Sequence, residues 1–371
     1  MSGRVSTALS VVLAMLVGAA TVAAVLELSG RVHIEQLPVS VPGRPSPSAA
    51  PLAGVVQPSA GGTYWGAFVP GAQTDQSIVT SFASAAGHEP AILTIYQQWW
   101  GEPAFPAAAA SRLAHGGTVL LLVWEPWRAG LPTAQAINQP AYRPAAIAAG
   151  AFDRYVRRYA DQVRAYGGPL LLEPFHEMNG NWYPWGATVN GNTAADYVAA
   201  WRHLHDLFAA EGATNATWVW TTNRDTVPDT AANQPAAYWP GAAYVDWVGL
   251  DAYNWGTAER KQWTSVAETF NRSLASLRAY GKPIIVAETG CAEQGGDKAA
   301  WIADLFSALT GPYRGVISAA VWFNEPFGVF DWRTNSSPAA QAAFRAGVAR
   351  PGMLPAGSVA WSTTPTSAPS G

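Results

Sequence analysis

Between residues 63 and 350, short apolar runs alternate regularly with longer segments of helical pattern. Eight runs rich in leucine or β-branched residues predict strands at Tyr64–Phe68, Ala91–Tyr96, Thr118–Trp124, Leu170–Phe175, Thr217–Thr222, Tyr244–Leu250, Pro283–Glu288 and Gly315–Phe323. Helical patterns between them include Pro144–Tyr166, Thr193–Glu211, Arg260–Tyr280 and Lys298–Leu309. Strands separated by helices pair in parallel, because a helical crossover returns the chain to the same end of the sheet. Eight such units predict an α/β fold, a single (β/α)8 TIM barrel.

Most of the predicted strands end in an aromatic residue beside a polar or charged one. Examples are Trp99 after strand two, Trp124 beside Glu125 at the end of strand three, and Asp251 with Tyr253 at the end of strand six. Loops that follow the strands are where barrel enzymes build their sites. The chain also has 18 tryptophans, whose flat faces suit the apolar C–H faces of sugar rings, although most of them can simply pack in the core. The pattern predicts a site at one rim of the barrel.

The clearest single stretch is residues 170–186, where an apolar run stops abruptly in polar groups. Three leucines suit a strand covered on both faces, and Pro174 marks where the ladder of hydrogen bonds ends. A carboxylate, an imidazole, a second carboxylate and an amide follow within seven positions, at Glu173, His176, Glu177 and Asn179. This strand therefore delivers polar side chains to a site at its carboxyl end.

The segment His176-Glu177-Met178-Asn179-Gly180, with Trp182, Trp185 and Gly186 at their spacing, resembles the signature of glycoside hydrolase family 26. The resemblance implies a retaining β-mannanase, β-glucanase or β-xylanase, with Glu177 as the general acid/base. It also implies a second carboxylate at the end of a later strand. Glu288, at the end of the Pro-Ile-Ile-Val-Ala run, fits that place and would be the nucleophile.

Further substrate-binding residues follow from the resemblance and from the rim pattern. The resemblance implies that His176 and Tyr253 lie in the site, that Trp182 forms a wall near the cleaved bond, and that Trp322 is a platform under the attacked sugar. The remaining predicted substrate-binding residues are Asn179, Trp99, Trp124 and Glu125. We expect no cofactor and no metal: the zinc pattern His-Glu-x-x-His fails because Gly180 stands where the second histidine belongs.

Cleavage of a glycosidic bond needs a proton for the leaving oxygen and electron density for the anomeric carbon, and two carboxyl groups can supply both. Glu177 and Glu288 would end strands four and seven, which face each other across the barrel mouth. In a retaining enzyme their carboxyl groups lie about 5–5.5 Å apart. One departure from the family pattern is Glu173, where arginine is common. That acid could raise the pKa of a nearby carboxyl, pair with Arg224, or alter sugar recognition, so mannan specificity is open.

Composition excludes some classes of function and leaves others open. A net charge of −3 argues against a nucleic-acid partner. One cysteine, Cys291, excludes an intramolecular disulfide. The expected partner is a polysaccharide or oligosaccharide, and we expect a monomer. Two alternatives to a hydrolase stay open: a transglycosylase that passes the same covalent intermediate to a sugar acceptor, and a non-catalytic carbohydrate-binding scaffold.

The two ends of the chain differ from the middle in composition. Residues 5–26 carry no charge and are long enough to span a bilayer, which predicts a signal anchor or a signal peptide within residues 1–29. A Pro-rich linker is predicted at 30–62, the family 26-like barrel at 63–350, and a disordered tail rich in Pro, Ser and Ala at 351–371. This organisation predicts an extracytoplasmic enzyme, held on the membrane through its N-terminal segment if that segment is not cleaved.

Overall fold

The computed structural model describes residues 54–361, and its main sheet closes into a barrel. The eight barrel strands are β1 (Thr63–Phe68), β2 (Ile92–Gln98), β3 (Val119–Glu125), β4 (Leu170–Pro174), β5 (Ala216–Asn223), β6 (Trp247–Asn254), β7 (Ile284–Cys291) and β8 (Ile317–Phe323). Each pairs in parallel with the next along the chain, and β1 also pairs with β8, which closes the ring. The predicted (β/α)8 barrel is confirmed.

Helices follow the strands and cover the outside of the barrel. They are α1 (Gln76–Ala86), α2 (Ala107–His115), α3 (Thr133–Ile137), α4 (Pro144–Ala148), α5 (Asp153–Tyr166), α6 (Ala194–Ala210), α7 (Val266–Leu277), α8 (Lys298–Thr310) and α9 (Pro338–Val348). Capping boxes at Thr193 and Ser265 start α6 and α7. The single helix predicted over Pro144–Tyr166 is wrong. It is broken into α4 and α5 at Gly150, whose φ of 87° is left-handed.

Alternation along the strands separates two apolar layers. Side chains that point to the barrel axis include Tyr64, Ile92, Val119, Leu171, Val219, Trp247, Ile285, Ala319 and Val321. The alternate positions point to the helices, and tryptophans occupy several of them: Trp65, Trp124, Trp220 and Trp322. Because successive residues of a strand face opposite sides, one position decides whether a rim aromatic reaches the mouth or the helix layer.

The pairing of β6 with β7 slips by one residue just before the rim. Val286 lies opposite Leu250, but Glu288 lies opposite Asp251, so Ala287 is an extra residue in β7. Regular alternation from Ile285 would point Ala287 to the barrel axis and Glu288 to the helices. A bulge re-aims the side chains that follow it. The shift therefore brings Glu288 to the mouth of the barrel.

The chain segments just outside the predicted barrel boundaries pack against its amino-terminal end. Val56 is 2% exposed, its N–H donates to Thr217 Oγ1 over 2.8 Å, and it pairs with Trp361. A further strand, β11 (Met353–Leu354), pairs with β1. The predicted linker is therefore wrong for residues 54–62, and the predicted disordered tail is wrong for 351–361. These segments supply apolar side chains that cover the barrel bottom.

Two other features of the described chain complete the fold. A short antiparallel hairpin, β9 (Pro326–Phe327) and β10 (Phe330–Asp331), follows β8 at the mouth. Within residues 54–361, no helix is both long enough and apolar enough to cross a bilayer. The predicted signal anchor or signal peptide at 1–29 and most of the Pro-rich linker lie outside the described residues, as does the tail beyond residue 361.

Candidate active site

Glu177 is held at the end of β4 by an unusual turn of the backbone. Phe175 and Glu177 have φ values of 52° and 53°, a left-handed conformation that residues with a Cβ rarely adopt. The Glu177 N–H donates to Thr221 O on β5 over 3.0 Å, which fixes the turn against the neighbouring strand. Backbone conformations of this kind cost free energy and concentrate at functional sites.

The carboxyl group of Glu177 accepts two side-chain hydrogen bonds. Trp182 Nε1 donates to Oε2 over 2.6 Å, and Asn223 Nδ2 donates to Oε1 over 2.5 Å. Burial, together with the negative charge of Glu288, raises the pKa of Glu177 to about 8, although both donors act in the opposite direction. Glu177 therefore holds a proton at neutral pH and can give it to a leaving group.

The carboxyl group of Glu288 lies between two phenols. Tyr253 OH donates to Oε2 over 2.5 Å, and Tyr96 OH donates to Oε1. Burial raises the pKa of Glu288, and the hydrogen bonds from the two hydroxyls lower it by stabilising the carboxylate. Both carboxyls thus accept two hydrogen bonds, but the negative charge of Glu288 adds to burial in raising the pKa of Glu177, whereas burial alone raises the pKa of Glu288, so Glu288 is the one that ionises more readily. The arrangement separates an acid from a carboxylate, as double displacement requires.

His176 and Asn179 are both buried, and neither offers a free amide or a charge to a substrate. His176 Nε2 lies 3.0 Å from Tyr183 OH, and burial lowers the pKa of His176 to about 3, so the imidazole is neutral. Asn179 is fully buried, donates to Asn223 O over 2.9 Å and accepts from Asn223 N over 2.9 Å. Asn179 therefore braces Asn223, which in turn contacts Glu177, and its predicted contact with substrate is wrong.

Three predicted substrate-binding tryptophans face the helices instead of the mouth. Trp322 is 3% exposed, donates to Trp332 O over 2.7 Å and packs on α9. Trp124 donates to Tyr155 OH on α5, and Trp99 packs on Trp124 at 4.6 Å between ring centroids. Their prediction as sugar contacts is wrong because the strands turn alternate side chains outward.

The residues next to these tryptophans reach the mouth. Phe323, one position after Trp322, belongs to an aromatic wall formed by Phe68, Tyr96, Tyr253, Phe323 and Trp332. Tyr253 stacks on Trp332 at 4.3 Å between ring centroids. The structure brings two of the predicted residues to the carboxyls, Tyr253 to Glu288 and Trp182 to Glu177. Sequence reasoning did not name all of their neighbours. It missed Tyr96, Asn223, Phe323 and Trp332, although the first three stand at strand ends where polar or aromatic residues were conspicuous.

Three further acids lie buried around Glu177 and Glu288. Burial raises the pKa of Glu125 to about 8, and Gln98 Nε2 lies 3.4 Å from its Oε2. Glu173 and Asp251 point into the barrel below the mouth and are 1% and 0% exposed. The Thr221 hydroxyl lies beside Glu173 and the Glu288 N–H beside Asp251, but within residues 54–361 no hydrogen bond of ordinary geometry reaches either carboxyl.

Among the residues that the structure describes, these two deep acids have no cationic partner to balance a negative charge. Burial raises the pKa of both Glu173 and Asp251 well above the ordinary range, and repulsion from Glu288 adds to it. Arg224, a possible partner of Glu173, lies instead 3.8 Å from Asp225. No ion pair within residues 54–361 involves Glu173 or Asp251. Of the three roles considered for Glu173, raising the pKa of a nearby carboxyl fits this geometry, because Glu173 and Asp251 lie close enough that ionisation of one disfavours ionisation of the other.

A cation site was not expected, and the donor set at the mouth fits catalysis better than metal binding. Among the described residues, only His176, Asp251 and Glu288 bring three metal-ligating atoms within 4.8 Å of one another. Both oxygens of Glu288 already accept phenol hydrogen bonds. The absence of a metal remains a prediction from the sequence.

Known proteins resemble this chain in sequence and in fold. Endoglucanase H of Acetivibrio thermocellus is 37% identical over 306 residues, which are 81% of this chain but 32% of that protein. Mannan endo-1,4-beta-mannosidase A and B of Caldalkalibacillus mannanilyticus is 33% identical over 135 residues, 35% of this chain and 23% of that protein. The chain thus spans about a third or less of the length of these relatives.

Solved structures share the architecture at low identity. The GH26 β-mannanase BoMan26A from Bacteroides ovatus superposes with a TM-score of 0.57 at 16% identity, over 80% of this chain and 91% of that one. This likeness shows the fold. The model of glycosyl hydrolase family 26 matches residues 136–330, more than half of the chain, and this range holds both Glu177 and Glu288. With the motif, the barrel and the paired carboxyls in agreement, the chain belongs to glycosyl hydrolase family 26.

Proposed function

We propose that this protein is a retaining, endo-acting β-glycoside hydrolase that cleaves a β-linked polysaccharide by double displacement. The observation that carries the proposal is the unequal environment of two facing carboxyls. Glu177 is buried with a pKa raised to about 8, whereas Glu288 accepts hydrogen bonds from two tyrosines. One residue is therefore suited to give a proton and the other to attack carbon.

In the first step, a carboxylate oxygen of Glu288 forms a bond to the anomeric carbon while the glycosidic C–O bond breaks. Glu177 gives its proton to the departing oxygen, so the leaving sugar departs as an alcohol. In the second step, ionised Glu177 takes a proton from water, the water oxygen bonds to the anomeric carbon, and the bond to Glu288 breaks. Two inversions leave the product in the β configuration.

The surroundings of the pair support these proton movements. Trp182 Nε1 and Asn223 Nδ2 stabilise the ionised form of Glu177 that exists between the two steps. Tyr253 and Tyr96 stabilise ionised Glu288 before attack and again when it leaves. Neutral His176 adds no positive charge near the nucleophile. The aromatic wall offers flat apolar faces to the sugar ring.

The substrate we favour is a β-glucan of the mixed β-1,3/1,4 type, with β-1,4-mannan as the second candidate. The match to an endoglucanase extends over 81% of the chain, whereas the match to the mannosidase covers 35%. Glu173 supports this order, because it stands where family members commonly have arginine. Its carboxyl group is buried below the mouth with its pKa raised well above the ordinary range, so a protonated acid stands where the family commonly has a positive charge.

Two further parts of the proposal concern the fate of the bound sugar and the compartment in which the enzyme works. A transglycosylase would use the same two carboxyls and pass the sugar from Glu288 to an acceptor hydroxyl, and a non-catalytic scaffold would bind without turnover. The presence of both carboxyls, with the pKa of Glu177 raised by burial and by the charge of Glu288, favours catalysis over the scaffold. The uncharged run at residues 5–26 favours an enzyme that works outside the cytoplasm.

One assay tests the function. The full chain is incubated with mixed-linkage β-glucan, β-1,4-mannan and β-xylan, and the anomer first released is read by NMR. We expect rapid appearance of internal cleavage products from the glucan, initially in the β configuration. Products initially in the α configuration would overturn the retaining mechanism. Transfer of glycan to added oligosaccharide acceptors instead of water would show that the protein is a transglycosylase. If none of the polymers is turned over, the non-catalytic carbohydrate-binding scaffold becomes the favoured function.

A further inference from the structure

Trp100 is the one aromatic side chain among residues 54–361 that is both large and mostly exposed, with 58% of its surface accessible. It stands on the loop after β2 at the rim that carries the catalytic carboxyls. Its indole is backed on one side by Arg128, whose guanidinium carbon lies 4.4 Å from the ring centroid. This loop position was not among the predicted substrate-binding residues.

The loop holds Trp100 rigidly. Glu102 N donates to Trp99 O over 2.8 Å, which closes a tight turn, and Gly101 has the φ of 78° that such a turn requires at its third position. Trp100 N donates to Trp127 O over 3.2 Å. The backbone of Arg128 is also pinned, because the side chain of Gln139 both accepts from its N–H and donates to its carbonyl oxygen. A fixed, exposed indole binds with little loss of conformational entropy.

Trp100 belongs to the same surface as the catalytic centre but lies beyond it. Trp127, its backbone neighbour, packs on Tyr183 at 5.3 Å between ring centroids, and Tyr183 packs on His176 at 4.7 Å. Two ring layers therefore separate the Trp100 loop from the residue next to Glu177. That spacing suits a sugar of the same chain that is not the sugar attacked.

The order of strands defines a line across the mouth. In a closed ring of eight strands, β2 and β6 are four strands apart and lie opposite each other, with β4 on one side of the line between them and β7 on the other. At the β6 end, Trp255 has Lys261 Nζ at 4.9 Å from its ring centroid. An aromatic ring with a cation beside it thus stands at each end, and Glu177 and Glu288 flank the middle.

We propose that Trp100, backed by Arg128, is the platform for a sugar residue remote from the cleaved bond, at the β2 end of a cleft that crosses the mouth to Trp255. The ligand is a further unit of the β-linked glycan chain, stacked through its C–H face on the open side of the indole. This inference rests on the proposed function and deepens it, because it makes the enzyme sensitive to chain length.

The test compares long and short substrates in the full chain. Trp100→Ala should lower kcat/KM on the polymer about tenfold, mainly through KM, because a remote platform contributes to binding more than to chemistry. It should leave kcat/KM unchanged on a short aryl β-glycoside with an acidic leaving group. Trp100→Phe, which keeps a smaller aromatic face, should recover part of the loss on the polymer.

A matched control removes an aromatic side chain at the other end of the barrel. Tyr280→Ala truncates a half-buried ring that packs on Trp239 just before β7 begins, so it should alter stability without changing the ratio of activities on long and short substrates. Equal loss on both substrates in Trp100→Ala, or no loss on the polymer, would overturn the platform.

A binding experiment separates this inference from the proposed function. If the wild-type protein cleaves neither substrate, the hydrolase fails, and affinity electrophoresis in gels containing mixed-linkage β-glucan still measures the platform. The wild-type protein should be retarded by the polymer, and Trp100→Ala should be retarded less. Equal mobility of the two proteins would contradict the assignment of Trp100 whatever the enzymatic result.

Discussion

Trp182 Nε1 donates a hydrogen bond to Glu177 Oε2 over 2.6 Å. The side chain predicted to form a wall near the cleaved bond therefore also contacts the carboxyl of Glu177. The hydrogen bond favours the carboxylate that Glu177 becomes after it has given up its proton. Asn223 does the same for the other oxygen at 2.5 Å. In the proposed mechanism, the two donors therefore stabilise the ionised Glu177 that exists after the first step and before it takes a proton from water in the second.

The first prediction removes this donor and keeps the ring. Trp182→Phe should raise the pKa of Glu177 further, because it removes one of the two hydrogen bonds that lower this pKa against burial and the charge of Glu288. We expect the alkaline limb of the pH profile of kcat/KM near pH 8 in the wild type, and in this variant it should move to higher pH while kcat falls about tenfold. Trp301→Phe, which removes an indole donor from Thr264 O outside the barrel, should leave the profile unmoved.

The second prediction separates the two carboxyls by role. Glu288→Ala should abolish turnover of every substrate, because no covalent glycosyl-enzyme can form. Glu177→Ala should retain the first step with a leaving group acidic enough to depart without a proton. Azide should then restore its turnover and give a glycosyl azide of β configuration. An α azide from Glu177→Ala would mean that the two roles are exchanged.

The third prediction concerns the phenols beside the nucleophile. Tyr253→Phe and Tyr96→Phe each remove a hydroxyl that lowers the pKa of Glu288, so the acid limb of the profile should move to higher pH. We expect kcat/KM at neutral pH to fall by about 10- to 100-fold. Tyr313→Phe removes a hydroxyl bonded to Asn271 on α7 and should change neither limb. An acid limb unchanged in both site variants would contradict the role given to these phenols.

The fourth prediction is a dependence of stability on pH. Glu173 and Asp251 have folded pKa values raised above the ordinary carboxyl value, so the folded state binds protons that the unfolded state has released. Their contribution to stability is fully present below pH 4 and is lost as pH rises toward the folded pKa. The melting temperature should therefore fall from pH 5 to pH 9. Glu173→Gln, which mimics the protonated acid, should flatten that decline, and a steeper decline would show that Glu173 is ionised.

The fifth prediction follows from the direction of two neighbouring side chains. Trp322→Phe should lower the free energy of unfolding by about 1–3 kcal/mol, because it shrinks a buried ring and removes the hydrogen bond to Trp332 O, but it should leave KM unchanged. Phe323→Ala should raise KM, since its ring belongs to the aromatic wall. A higher KM in Trp322→Phe would restore Trp322 as a sugar platform.

Much of this molecule is readable from local pattern. The alternation of apolar strands with helical segments predicts the barrel, since the burial of a parallel strand on both faces leaves a continuous apolar run. The family motif identifies Glu177, and the strand before Glu288 places it at the same rim. Tyr253 and Trp182 also follow from the chain itself, because each stands at a strand end or inside the motif.

The facing of individual side chains was decided by tertiary structure. Trp322 and Trp124 stand at strand ends, yet a step of one residue turns them to the helices and leaves Phe323 and Glu125 at the mouth. In β7, the pairing with β6 slips by one residue at Ala287. This extra residue reverses which alternate side chains face the barrel axis, and it brings Glu288 to the axis. Such a shift in strand register cannot be predicted from the alternation of residues in a single sequence.

Contacts between distant segments were likewise invisible to local pattern. Tyr96 meets Glu288, and Asn223 meets Glu177, only because β2 and β5 close into the same ring as β4 and β7. Residues 54–62 and 351–361 have the composition of linkers, but Val56 is buried against the apolar side chains at the amino-terminal end of the barrel. The sequence by itself determined the barrel and the chemistry of its acids. Closure of the sheet determined which side chains surround them, because proximity across a ring depends on strand register and not on separation along the chain.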